Sequence, residues 1–387
     1  MYTKIKHSIK SFFWPVKETP TTGSKKEHLP VSTISGNNRG VIFSPDWSYY
    51  NSYQKLLYGS LNKLFDSSAY GFDPKDFKIE CLEQYANECQ VIHIHWINVF
   101  YDLDDKNSID SFLQTLRWAK KNKFTIIWTV HNFVSHESKN YDLEIEIRKK
   151  VSIIADHIIV HGQYAKNIIC KEYGVNHGKV HIIQHGHYQG FYKNDISISE
   201  AKKQLGIAYN DYVFLFFGNI RAYKGLEKLV ESFLRLQKKY NETTLLIAGR
   251  GLDKDIHEYI KEKVAHSKKI IAHIKFIHDD DVQLYLNASD MMVLPYKTVL
   301  TSGAALLALS FMKPVIAPRI GLIPELVDNN IGELFDTYEE MEELMVANIL
   351  NRDKNKWSAD HFHAKLQELD WLNLLDNSLF ASVLDHK

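Results

Sequence analysis

The chain has 387 residues, 45% of them hydrophobic and 24% charged, with 47 Lys plus Arg against 47 Asp plus Glu. That length and apolar content suit two ordinary domains with cores of their own, and exclude collagen-like, coiled-coil and wholly disordered chains. The balanced charge leaves no net field that would favour nucleic acid. Three cysteines, Cys81, Cys89 and Cys170, lack C-x-x-C spacing and indicate neither a disulfide framework nor a cysteine zinc site, which fits a reducing cytoplasm.

Residues 1–17 carry Lys4, Lys6, Lys10 and Lys17 with no acid, while Ile5, Ile9, Phe12, Phe13 and Trp14 recur near helical spacing. This basic amphipathic stretch suits an anionic membrane surface, and otherwise reads as a tail or a helix lying on its own domain. Its apolar run is too brief for a secretion signal, and no run in the chain approaches the roughly 18 to 20 residues that span a bilayer. The expected location is the cytoplasm, peripheral on the inner face of the plasma membrane. Residues 18–38, rich in Thr, Ser, Gly and Pro, read as a linker.

From Gly40 short apolar runs alternate with longer amphipathic segments, the pattern of parallel-sheet α/β units. Predicted strands are Gly40–Phe43, Val91–His95, Thr125–Val130, His157–Val160 and Val180–Ile183, then Tyr212–Phe217, Thr244–Ala248, Ile274–Phe276, Met291–Leu294 and Pro314–Ala317. Helices are predicted at Ser52–Leu64, Ser108–Lys121 and Asp142–Ala155. The pattern breaks near residues 190–200. The expected fold is therefore α/β, with two doubly wound, Rossmann-like domains facing across a cleft. Residues 1–38 form the amino-terminal segment, 39–193 the first domain and 194–365 the second, with a helix at 366–387 expected to pack back on the first. In such sheets ligands sit beyond the carboxyl ends of the strands, so the loops there carry the candidate residues.

The sharpest of these loops is Gly218-Asn219-Ile220-Arg221-Ala222-Tyr223-Lys224-Gly225. Two cations where a strand hands over to a helix make a site for a phosphate or diphosphate. A second, Pro295 to Ala304, contains Thr301-Ser302-Gly303 before an apolar helix; a hydroxyl there caps the helix and its amides suit a phosphate. In the first half, His131 follows a strand and reads as a general base, a hydrogen-bonding partner of a sugar hydroxyl, or a core histidine. His93 and His95 share one strand face. A zinc reading of His93 with His95, or of His131 with His136 and Glu137, lacks H-E-x-x-H spacing and a third ligand, so no metal is expected.

Taken together, these segments resemble the GT-B glycosyltransferases, within them the family 4-like enzymes of bacterial surface and exopolysaccharide synthesis. Gly218-Asn219-Ile220-Arg221-x-x-Lys224-Gly225, Leu246-Ile247-Ala248-Gly249-x-Gly251, Asp290 to Tyr296, Lys313 to Ala317 and Pro324-Glu325-Leu326-Val327 carry the resemblance in the second half. Asp46-Trp47, His93-Ile94-His95-Trp96 and Thr129-Val130-His131-Asn132 carry it in the first, and look like a subgroup acting on lipid-linked saccharides.

The resemblance implies that the second domain binds a nucleoside-diphosphate sugar, GDP- or UDP-linked, through Gly218, Arg221, Lys224, Tyr296, Thr301, Ser302, Gly303 and Glu325. The first domain would receive a saccharide or polyprenyl-linked acceptor near His95, Trp96 and Asn132, with a hexose transferred in the cleft without a required metal or other cofactor. One departure stands out. Many members have two Glu with seven residues between them before the Pro-Val strand, whereas Val299 to Leu307 contains no acid. Retention or inversion of the anomeric centre therefore stays open, with His131, Asp46 and Glu137 as candidate catalytic residues. A sugar-nucleotide epimerase and a non-catalytic partner subunit of the same fold are the rival readings.

Overall fold

The computed structural model describes residues 40–134, 138, 140–354 and 357–384. Residues 1–17 and Glu137 lie outside the described residues. The first sheet has six parallel strands: β1 (Gly40–Ser44), β2 (Ala69–Gly71), β3 (Cys89–Ile94), β4 (Thr125–Thr129), β5 (His157–Val160) and β6 (Val180–Ile182), in the spatial order β2-β1-β3-β4-β5-β6. The second has β7 (Tyr212–Phe217), β8 (Thr243–Ala248), β9 (Ile270–His273), β10 (Met291–Val293), β11 (Val315–Pro318) and β12 (Gly332–Phe335), in the order β12-β11-β10-β7-β8-β9. Helices on both faces bury β1, β8 and β10 along their whole length, which is why these strands read as unbroken apolar runs.

The predicted strand at Ile274–Phe276 is corrected to Ile270–His273. That stretch pairs with β8 from Ile270 opposite Leu245 onward, leaving Phe276 52% exposed. The edge strands β2 and β12 had no sequence signal strong enough to predict, because each is three or four residues long, contains a glycine and is only partly buried.

Helix Leu226–Gln237 shows how the second domain is assembled. Leu226, Leu229, Val230, Phe233 and Leu236 make one buried stripe at helical spacing. Gly225 starts the helix at φ 63°, and a β-carbon there would stand 2.1 Å from the Pro295 carbonyl oxygen, so the close approach of these two loops requires glycine.

The two domains interlock. Leu300 and Leu322 of the second half are buried in the core of the first, and Trp371, Leu375, Leu379, Phe380 and Leu384 of the carboxyl-terminal helices pack with Phe43, Tyr53 and Leu57. The Trp371 indole donates to the His187 carbonyl at 2.9 Å. Among the described residues no helix is long and apolar enough to cross a membrane.

Candidate active site

In the second sheet the strand order reverses between β7 and β10, so the loops leaving these two strands diverge and open a crevice. A cavity of about 320 Å³ lies there. Gly218, Lys224, Tyr296, Thr301, Ser302 and Gly303 all line it. The turn Ala222–Lys224 carries Lys224 inward, its ammonium 5.3 Å from the Tyr296 ring centre and 5.9 Å from that of Phe216. Burial, with Arg221 nearby, pushes the Lys224 pKa down to about 8. Lys224 is the charged residue among those lining the cavity. Ser302 caps helix Gly303–Ser310 through its hydroxyl, which accepts the Ala305 N–H at 3.2 Å, and Gly303 and Ala304, the first residues of this helix, line the same space.

Not every predicted donor-side residue joins this wall. Arg221 stands at the start of the turn, outside the lining. Glu325 faces the first domain, where its carboxylate accepts the backbone N–H groups of Gln163 and Tyr164 at 2.8 and 2.7 Å. Sequence reasoning missed Ser52, Tyr188 and Tyr192, which close the cavity from the first domain and the connecting segment. Their signal was slight, although Tyr188 and Tyr192 fall where the strand pattern breaks. Val299 and Leu307 line the cavity too, so the departure from the acidic pair lies on its wall.

The first sheet reverses order between β1 and β3, and there Trp47 stacks on Trp96 and Trp96 on His131, with ring centres 4.7 and 4.2 Å apart. Asp46 is exposed at this edge, its carboxylate accepting from the Ser48 N–H and hydroxyl. Asn132 turns its carbonyl to Arg148, itself in a buried ion pair with Glu144.

Behind the stack, His93, His95, His131, His161 and His185 gather around Tyr53, Tyr58 and Thr129. Most of these hydrogen bonds form one chain whose direction is fixed by its end. His161 Nδ1 is 2.8 Å from the Ile183 carbonyl, so it must donate, and His161 Nε2 accepts from His131 Nδ1 at 3.4 Å. His131 Nε2 then accepts from His95 Nδ1 at 3.1 Å, and His95 Nε2 from the Tyr58 hydroxyl at 2.7 Å. Tyr58 accepts from His93 Nδ1 at 3.0 Å, and His93 Nε2 accepts from Thr129 at 2.7 Å.

Each ring in this chain is thus a neutral Nδ1–H tautomer with both nitrogens used. Burial first, then repulsion from neighbouring histidines, holds His93 at about 3 and sets His95 and His131 well below the usual value; burial also holds His161 at about 4. To accept a proton, His131 has to release the His95 N–H from its Nε2. His185 stands apart, donating to the Gly186 carbonyl and accepting from Tyr188, which connects the cluster to the cavity. Among the described residues no group of three or more His, Cys, Asp or Glu side chains is arranged to hold a metal ion. Sequence reasoning missed Tyr58, His161 and His185. A signal was present, since His95, His131, His161 and His185 each stand within three residues of the end of successive strands.

Comparison with known proteins bears directly on this arrangement. The model for glycosyl transferases group 1 matches residues 197–356, and that for glycosyltransferase family 4 matches residues 106–187. The chain is a glycosyltransferase of the GT-B type. The enzyme is 24% identical over 302 residues to a GDP-mannose:glycolipid 4-β-D-mannosyltransferase of Xanthomonas campestris pv. campestris, covering 76% of this chain and 78% of that one. It is 25% identical over 293 residues to the α-monoglucosyldiacylglycerol synthase of Acholeplasma laidlawii, covering 67% and 72%. Among solved structures, Anabaena HepE in complex with UDP-glucose shares the fold of this glycosyltransferase with a TM-score of 0.69 at 15% identity, covering 89% of this chain and 99% of that one.

Proposed function

We propose that this glycosyltransferase moves a hexose from a nucleoside-diphosphate sugar to a saccharide or lipid-linked saccharide acceptor in surface polysaccharide synthesis. The observation that carries this reading is the cavity at the β7/β10 switch point, lined by Lys224 and by Gly303 and Ala304 at the start of helix Gly303–Ser310. A cation and aligned amides in a partly dry crevice stabilise the charge that builds on a departing diphosphate. The names of the Xanthomonas and Anabaena proteins support GDP- and UDP-linked sugars as the donors to try first. The acceptor is placed against the Trp47, Trp96 and His131 stack, whose flat faces suit a sugar ring. A metal ion is not part of this proposal. The basic stretch at residues 1–17 supports a peripheral contact with the inner membrane face, where a lipid-linked acceptor would be met.

The test is calorimetric titration of the protein with GDP and UDP, repeated on Lys224→Ala. Binding of one nucleotide that the substitution weakens by about tenfold or more supports the donor site. No binding of either by folded protein overturns it, and conversion of the donor in the absence of acceptor would favour an epimerase.

A further inference from the structure

Helix Tyr141–Ile154 carries its buried stripe at Glu144, Ile147, Arg148 and Val151, so an ion pair takes two positions of a stripe that is otherwise apolar. Arg148 Nε and Nη2 both donate to Glu144 Oε1, at 3.0 and 2.6 Å. Such a pair is costly to desolvate, and apolar residues of similar volume hold a helix in place as well or better. Packing alone therefore does not account for it. The third arm of the guanidinium does: Nη1 donates to the carbonyl of Asn132 at 3.1 Å, one residue after His131.

The next carbonyl is held in the same way. The Tyr173 hydroxyl donates to the Phe133 carbonyl, and the Tyr173 ring lies parallel to those of Phe133 and Trp128, with centres 5.6 and 5.8 Å away. Trp128 stands three residues before His131 and Phe133 two after it, so Tyr173 grips both sides of the turn. Arg148 also stands beside the Tyr173 hydroxyl, which joins the two anchors into one. Glu144, Arg148 and Tyr173 are buried, whereas His131 and Asn132 are half-buried at the edge of the cleft. His131 tolerates little displacement. Its ring lies 4.2 Å from that of Trp96 at 13° to it, and its two nitrogens meet His95 and His161 at 3.1 and 3.4 Å. A shift of about 1 Å breaks these contacts.

We propose that Arg148 and Tyr173 are positioning residues for transfer, which fix the two peptide carbonyls after His131 and so hold its imidazole against Trp96. The inference rests on the reading that places the acceptor against the Trp47, Trp96 and His131 stack, and adds the side chains that keep this face in place. Glu144 acts one step further back, by orienting the guanidinium.

The experiment compares wild type with Tyr173→Phe and with the double variant Glu144→Leu/Arg148→Met, which removes the anchor without leaving a lone buried charge. Each is followed by thermal unfolding, by titration with GDP and UDP, by the imidazole nitrogen signals of histidine-labelled protein, and by transfer of radiolabel from GDP-mannose or UDP-glucose into a total lipid extract of the source organism. Both variants should melt within about 5 °C of wild type and bind nucleotide within about twofold. The His131 signals should move while those of His157, on another strand, stay in place, and transfer should fall about tenfold or more. Unmoved His131 signals overturn the proposal, as does transfer that is unchanged although the signals move, or nucleotide binding that weakens as much as transfer. If the double variant does not fold, Tyr173→Phe, which deletes one hydroxyl, decides by the same outcomes. If wild type binds nucleotide and transfers no label to lipid, the acceptor reading itself fails and takes this inference with it, even where the His131 signals move.

Discussion

Glu325 Oε2 accepts the backbone N–H of Gln163 at 2.8 Å, joining residues 162 positions apart across the cleft. Its other oxygen takes the Tyr164 N–H, so a carboxylate from the second domain caps helix Gln163–Tyr173 of the first, a helix without a side-chain cap of its own. Gly162 makes room for this contact, because a β-carbon there would lie 2.5 Å from both Glu325 Oε2 and Leu322 Cδ2. The cap is exposed at Glu325, so Glu325→Ala should lower stability by only about 0.5–1 kcal/mol. Gly162→Ala should do more to geometry than to the cap, pushing the domains apart. Small-angle scattering should show a larger radius of gyration for Gly162→Ala than for wild type, and equal radii would mean that this contact does not hold the cleft closed.

The histidine chain predicts a pH profile. His93 at about 3 and His161 at about 4 stay neutral in the folded protein, as does His185 at about 3, while in the unfolded chain each titrates near 6.5. Between these values the unfolded state binds more protons, so stability is full above about pH 6.5 and falls as the pH drops toward 4. Each such histidine contributes a slope of up to about 1.4 kcal/mol per pH unit in that window. Urea unfolding at pH 7.5, 6 and 5 should show midpoints descending together with pH, and a flat profile would mean that the cluster is hydrated. Nitrogen chemical shifts should report Nδ1–H tautomers for His95, His131 and His161.

Trp371 joins the carboxyl-terminal helices to the first domain. It is 4% exposed, donates to the His187 carbonyl, and meets Tyr53 and His185 edge-on or at a tilt. Trp371→Ala removes this packing and should cost about 3–5 kcal/mol, measured by chemical denaturation. A loss below about 1 kcal/mol would show that the terminal helices pack on the first domain without stabilising it.

Much of this was legible in the sequence because parallel strands buried on both faces leave unbroken apolar runs, as in Phe214 to Phe217 and Leu245 to Ala248. The edge strands were not, since Ala69–Gly71 pairs on one side alone. That Lys224, Thr301 and Ser302 would come to one cavity was legible because strand-to-helix loops announce themselves by glycine, cations and hydroxyls. Tyr188 and Ser52 were not, because which residues of the first domain face the second depends on how the domains interlock, which local periodicity does not encode. Glu325 lay in a recognisable motif, yet its partners are backbone N–H groups 161 and 162 positions away, invisible to any reading of side chains.

Lys224 supplies the remaining prediction, and its sign follows from its pKa. With that value lowered to about 8, the ammonium is charged at pH 7 and largely neutral at pH 9. A diphosphate binds the charged form, so apparent affinity is reduced by the fraction that is charged. Nucleotide binding should therefore be constant below about pH 7.5 and weaken about tenfold by pH 9. Lys224→Gln removes the titrating group, so its weaker binding should be independent of pH over the same range. If wild type and Lys224→Gln lose affinity in parallel between pH 7 and 9, another group is titrating, and Lys224 is not the cation that meets the diphosphate.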